Sequence, residues 1–128
     1  MQYEYFYGAQ AEQFSFYRIP KALFTERNFR ELSTDAKVLY GILLDRMSLS
    51  LKNQWLDAQN KVYIIFTVDE IMDALNCANQ KATRLMVELE KQAGLIERKR
   101  QGLGRPNLIY VKNFAATING KSCEKGDS

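Results

Sequence analysis

Two short helical patterns joined by only two residues constrain this chain most. The first pattern covers 67–76 and the second covers 79–92, with Cys77-Ala78 as the connection. In the second, the apolar residues recur at three- and four-residue spacing, at Ala82, Leu85, Met86 and Leu89. So short a connection forces the two helices to cross at an angle and to share one apolar core.

Capping residues mark where the helices begin. Thr67 and Glu70 fit a capping box, in which each side chain accepts a hydrogen bond from the backbone amide of the other. Asn79 is placed to cap the second helix of the pair. Ser33 or Thr34 is placed to cap an earlier helix, predicted over 34–49, with its apolar stripe at Ala36, Leu39, Tyr40, Leu43, Leu44 and Met47.

Segments of β type flank the helical pair. Trp55-Leu56 and Val62–Phe66 predict a hairpin turning through the polar Asp57–Lys61. The alternating stretch 14–19 predicts either a short strand, which would be the first of the domain, or an arm that packs on a neighbour. Phe24 and Phe29 are expected to close the core.

A second hairpin follows the helical pair. Gly94 is placed to end the helix, and β segments are predicted over 95–100 and 108–112. The joint at 101–107 contains two glycines, a proline and an asparagine, which are residues typical of turns. The resulting order is helix, β, helix, turn, helix and β-hairpin, which predicts an α+β winged helix-turn-helix with a three-helix core and a hairpin wing.

Positive charge is concentrated in the same part of the chain. The whole chain carries +3, but residues 79–112 contain eight bases and three acids, so this segment alone carries +5. A basic surface on one structural unit favours a polyanionic partner. The second helix therefore predicts DNA contacts at its polar residues, which are Asn79, Gln80, Lys81, Thr83, Arg84 and Lys91. The wing predicts contacts at Arg98, Lys99, Arg100, Gly102, Gly104, Arg105 and Lys112.

Several classes of function are disfavoured by composition. The chain has no histidine, which removes Ser–His and Cys–His nucleophile pairs and His-ligated zinc. Cys77 and Cys123 fit neither a disulfide framework nor a zinc site. Tyr40, Tyr63 and Tyr110 are interpreted as edges of the core rather than nucleophiles. We therefore expect no enzyme activity, no cofactor and no metal.

The chain resembles the N-terminal domain of the plasmid replication initiator protein A family of low-GC Gram-positive bacteria. The resemblance covers about residues 14–114 and is carried by FYRIPKALF (16–24), LSTDAKVLYGILLDRMSLSLKNQW (32–55), VYIIFTVDEIMDALNCANQKATRLMVELE (62–90) and GLIERKRQGLGRPNLIYVKNF (94–114). It implies a winged-helix domain that binds repeated sequences of double-stranded DNA at a replication origin as a non-catalytic initiator. It further implies a separate C-terminal domain, through which host replication proteins would be recruited.

Two alternatives to this interpretation remain open. A transcriptional regulator would use the same fold, and a protein–protein module could use the basic hairpin to bind an acidic partner.

We expect an N-terminal arm at 1–13, the DNA-binding domain at 14–114 and a disordered tail or linker at 115–128. The aromatic arm Tyr3–Tyr17 is nominated as a homodimer contact. Because the chain contains neither a signal peptide nor a long apolar run, we expect a soluble cytoplasmic protein.

Overall fold

The computed structural model describes residues 2–114, and the predicted tail at 115–128 lies outside them. Helices precede the two strands of the sheet in the chain. The elements are α1 (Ala22–Thr25), α2 (Thr34–Lys52), α3 (Val68–Leu75), α4 (Asn79–Val87), β1 (Ile96–Lys99) and β2 (Leu108–Val111). Short 3-10 turns cover Gln10–Gln13 and Arg27–Phe29, and α4 continues into a π-helical turn at Glu88–Gln92. The predicted α+β class is confirmed.

The predicted helix starts are correct for α2 and α3. The Ser33 hydroxyl accepts a hydrogen bond from the Ala36 amide at 3.1 Å, and α2 runs three residues past its predicted end. The capping box of Thr67 and Glu70 is complete. Asn76 ends α3 in the left-handed conformation, with φ of 53°, which asparagine tolerates better than most residues.

The core lies where α2, α3 and α4 meet the sheet. Each helix contributes side chains with essentially no exposure, and two isoleucines join them, one on β2 and one that bridges to β2. The fully buried residues include Leu39, Leu43, Ile71, Leu85, Leu89, Ile64 and Ile109. Burying a side chain of this size stabilises the fold by about 1.5–3 kcal/mol. This packing holds α4 across α3 with one face buried and the other exposed.

The sheet is a two-stranded antiparallel hairpin with one added contact. Ile96 pairs with Val111 and Lys99 with Leu108. Ile64 then joins the free edge of β2, where it exchanges two backbone hydrogen bonds of 2.9 Å with Ile109. The earlier hairpin is present as a turn closed by a single bridge between Leu56 and Val62 rather than as two strands.

The strand predicted over 14–19 is wrong. Residues 15–20 are extended but make no strand pairing, and they lie against α2 at Gly41. A Cβ at Gly41 would sit 2.9 Å from the Arg18 carbonyl oxygen, so glycine permits this close approach. Phe29 is buried as predicted, whereas Phe24 is half exposed beneath the Lys37 ammonium.

Glu88, one of the three acids of residues 79–112, lies in the interior of the domain. Its side chain is buried, with 8% exposure. One carboxylate oxygen accepts from the Ser33 backbone amide at 2.6 Å, and the other accepts from the Ser33 hydroxyl at 3.0 Å. The same serine caps α2, so Glu88 ties the end of α4 to the start of α2. A carboxylate at this position also complements the positive end of the α2 dipole.

We predict that Glu88→Ala lowers the free energy of unfolding by about 1–3 kcal/mol, because two charge-assisted hydrogen bonds are lost and the Ser33 amide loses its acceptor. Urea unfolding followed by circular dichroism measures the change. Lys91→Ala, an exposed substitution on the same turn, serves as the control and should stay within about 0.5 kcal/mol of the wild type. Equal effects of the two substitutions would contradict the role given to Glu88.

Candidate nucleic-acid interface

The outward face of α4 presents polar side chains at helical spacing. Gln80, Thr83, Arg84 and Lys91 are all exposed, whereas Ala82, Leu85, Met86 and Leu89 on the opposite face are buried. Val87 lies among the polar residues with 39% exposure, so the outward face also offers an apolar contact. The structure thus brings most of the predicted residues of this helix to one surface.

Asn79 does not cap α4 as predicted. Ala78 occupies the cap position and supplies no side-chain acceptor, and Asn79 is the first helical residue. The Asn79 side-chain oxygen instead accepts a long hydrogen bond of 3.5 Å from the Thr83 hydroxyl. The first amides of α4 therefore lack a capping side chain, and amides in this position can donate to a phosphate oxygen.

Lys81 lies at the flank of α4 and points toward α2. Its ammonium is 2.7 Å from a carboxylate oxygen of Asp35, and both side chains are about half exposed. An ion pair with this exposure contributes at most about 1 kcal/mol and is weakened by salt. Lys81 can therefore exchange Asp35 for another anion at little cost.

The wing is β1, β2 and the exposed loop between them. Lys99, Arg100, Arg105 and Lys112 all expose their side chains to solvent. Gly102 and Gly104 have φ of 120° and 77°, values that only glycine adopts without strain. They fold the loop into a narrow tip with Leu103 fully exposed. Sequence reasoning did not single out this leucine, although its place between two glycines was a signal for it.

Arg98 is placed differently from the other bases of the wing. Its guanidinium donates to Glu90 through Nε at 2.9 Å and through an Nη at 2.7 Å, and its backbone amide donates to the same carboxylate at 3.2 Å. Only about a quarter of the Arg98 side chain is exposed. Partial burial alone would raise the pKa of Glu90, but the hydrogen bonds and charge of Arg98 outweigh it and lower that pKa. The pair is therefore charged at neutral pH.

Two tyrosines near the wing act as structural hydrogen-bond donors. Tyr40 donates to the Lys112 carbonyl at 2.8 Å, and burial raises its pKa to about 12. Tyr110 donates to the Asp57 carboxylate at 3.0 Å; its pKa is raised by desolvation first and by Asp57 second. The pKa of Asp57 is lowered, mainly by the hydrogen bond from the Lys61 amide. Both phenols stay protonated at neutral pH, so neither is an activated nucleophile.

Residues 2–114 provide neither a metal centre nor a membrane-spanning helix. No group of three or more Cys, Asp or Glu side chains there is arranged to hold a metal ion. Within the same range, no helix is both long and apolar enough to cross a membrane.

Solved structures define the class to which this domain is similar. One described as the N-terminal domain of a DNA binding protein is 35% identical, with a TM-score of 0.72 over 99% of this chain and 98% of that chain. One described as a Rep–DNA complex is 38% identical, with a TM-score of 0.72 over 86% and 84%. One described as an MDR initiator is 39% identical, with a TM-score of 0.69 over 86% of each chain. The class is thus that of the N-terminal domains of replication initiators.

Residues 15–125 match the family model described as the replication initiator protein A (RepA) N-terminus, and the chain belongs to this family. A "41 kDa protein" of Lactobacillus helveticus is 33% identical over 103 residues. That match covers 80% of this chain but only 28% of the relative. The chain therefore spans less than a third of the length of that relative.

Proposed function

We propose that this chain is a winged helix-turn-helix domain that binds a specific sequence of double-stranded DNA at a plasmid replication origin. In this proposal it acts in the cytoplasm as a non-catalytic initiator. The observation that carries the proposal is the exposed polar face of α4 beside an exposed basic wing. The likeness to a structure described as a Rep–DNA complex supports the choice of DNA as the partner.

The recognition helix is α4, and it reads the major groove. A helix of about 10–12 Å diameter fits a groove about 12 Å wide. Gln80 and Arg84 lie one turn apart on the exposed face, so both can reach base edges from one docking position. The Gln80 amide matches adenine, and the Arg84 guanidinium matches guanine. Asn79, Thr83 and the uncapped amides lie where phosphates would flank the groove.

The wing supplies affinity more than sequence choice. Lys99 and Arg100 are adjacent, so they point to opposite sides of the ribbon and cannot both reach one groove floor. Phosphates at the edge of the site are the partners within reach of both. Arg105, between Gly104 and Pro106 at the narrow tip, has a second option, which is insertion into a narrow minor groove.

Three acids beside α4 are held by donors of this chain. Glu88 accepts from Ser33 in the interior, and Glu90 is paired with Arg98. Asp35 is paired with Lys81. Glu97 remains as an exposed acid on β1 among the bases of the wing.

Assembly and recruitment go beyond the part of the protein described above. We propose a homodimer, because a two-fold pair of recognition helices matches paired half-sites on DNA. The aromatic arm Tyr3–Tyr17 is the proposed contact, since Phe6, Phe14 and Phe16 are at least half exposed although they stack edge to face. Host replication proteins would bind a further domain of the whole protein.

We predict that Gln80→Ala and Arg84→Ala each weaken binding to origin repeats by about 1–3 kcal/mol and weaken binding to random duplex much less, because base contacts are lost. Fluorescence anisotropy titrations on both duplexes measure the difference. Lys52→Ala is a matched loss of charge at the end of α2 remote from Ser33, and it should change neither affinity. Equal losses of affinity on both duplexes would mean that Gln80 and Arg84 contact only phosphates. A wild-type protein that binds origin repeats no better than random duplex would refute the proposal.

We also predict that deletion of residues 1–13 lowers the molecular weight measured by sedimentation equilibrium from dimer to monomer, because the exposed rings of Tyr3, Tyr5, Phe6 and Tyr7 are removed. The full chain at the same concentrations is the reference. A truncated chain that remains dimeric would remove residues 1–13 from the interface.

A further inference from the structure

We propose that Glu90 is a positioning residue that sets the orientation of the wing relative to the recognition helix. The inference rests on the proposed function, since it assigns to Glu90 a role in DNA binding. It also reinterprets Arg98, because sequence analysis placed that residue on DNA. In this account Arg98 increases affinity by holding the wing, through Glu90, in the position that reaches phosphates.

The geometry of the Glu90 carboxylate is that of a brace between two elements. Glu90 lies on the π-helical turn that continues α4, and Arg98 lies in the middle of β1. The carboxylate accepts from both the guanidinium and the backbone amide of Arg98. Holding a side chain and its own backbone at once fixes the strand itself, whereas an ordinary surface ion pair fixes only two flexible side-chain ends.

The turn that carries Glu90 leads directly to the wing. The Ala93 amide donates to the Glu88 carbonyl at 3.0 Å, and the Leu95 amide donates to the Leu89 carbonyl at 2.8 Å. These bonds reach five and six residues back, so the helix widens at its end, and the three residues 93–95 connect it to β1. Such π-helical turns recur at functional sites. Here the turn directs Glu88 to α2 and Glu90 to β1.

The outer part of the wing depends on attachments at its base. Residues 100–107 are exposed throughout, and a cleft of about 270 Å³ lies between the wing and α3, lined by Ile71, Met86, Arg98, Pro106 and Ile109 among others. A ribbon above an open cleft is not held by packing along its length. The pairing of Ile64 with β2 holds one edge of the sheet, and the Glu90–Arg98 brace holds the other.

The positioning role and simple electrostatics predict opposite changes in DNA affinity when Glu90 is removed. Removing a carboxylate close to a polyanion reduces repulsion. If Glu90 had no positioning role, the Glu90→Ala variant should therefore bind DNA as tightly as the wild type or more tightly. If Glu90 holds the wing, the same substitution should weaken binding, because phosphate contacts by several bases become less ordered. Glu97 provides the matched control, since it is an exposed carboxylate on β1.

The experiment compares Glu90→Ala with Glu97→Ala by fluorescence anisotropy on a random-sequence duplex at low salt, where phosphate contacts dominate. We expect Glu90→Ala to bind about tenfold more weakly, and Glu97→Ala to bind as well as the wild type or better. The charge swap Glu90→Arg with Arg98→Glu should recover only part of the loss, because an arginine at position 90 cannot accept from the backbone amide of residue 98. A Glu90→Ala variant that binds as well as or better than the wild type would overturn the inference.

A measurement without DNA separates this inference from the proposed function. Hydrogen exchange should be faster in Glu90→Ala than in Glu97→Ala at the Arg98 amide and at the paired amides of β1 and β2, while the amides of α2 and α3 stay protected. Glu90→Gln retains one carbonyl acceptor, so its amides should exchange at a rate between those of the wild type and Glu90→Ala. This variant replaces Glu90→Ala in the comparison if the alanine variant folds poorly. Unchanged exchange in the wing would refute the brace whether or not the wild type binds DNA. Faster exchange with no DNA binding by the wild type would refute only the proposed function.

Discussion

The carboxylate of Glu88 on the first residues of α2 is the contact on which the interface depends. It is buried, and both of its oxygens accept from Ser33, which itself caps α2. This contact fixes the end of α4, while the burial of Leu85 and Leu89 in the core leaves the opposite face of α4 exposed. Two residues later Glu90 extends the same arrangement to β1. One helical turn therefore determines where both the helix and the wing lie.

This arrangement also explains how a chain with a modest net charge presents a basic surface. The segment 79–112 contains three acids. Two of them are directed to donors of the domain itself, Glu88 to Ser33 and Glu90 to Arg98, and the third, Glu97, is on the exposed side of β1. The same two contacts therefore have two effects. Each stabilises the fold, and each turns a negative charge away from the face where DNA would approach.

The features that could be predicted from sequence are those set by neighbouring residues. The capping box at Thr67, the left-handed end at Asn76 and the turn at Gly102 and Gly104 follow from local chemistry, and the order of the elements follows from apolar spacing. The position of Glu88 could not be predicted, because Ser33 is 55 residues away. The alternation over 14–19 failed as a strand signal because that segment packs on Gly41 instead of pairing. The π-helical turn has no signature in residue spacing, so the contact between Arg98 and Glu90 could not be predicted either.

Guanine methylation protection on origin repeats tests the central claim most directly, because N7 of guanine lies in the major groove and N3 of adenine in the minor groove. If α4 reads the major groove, the bound domain should protect guanine N7 at the centre of each repeat, and Arg84→Ala should remove that protection while the flanking phosphate contacts of the wing persist. Protection confined to adenine N3, or guanine protection unchanged in Arg84→Ala, would contradict the account.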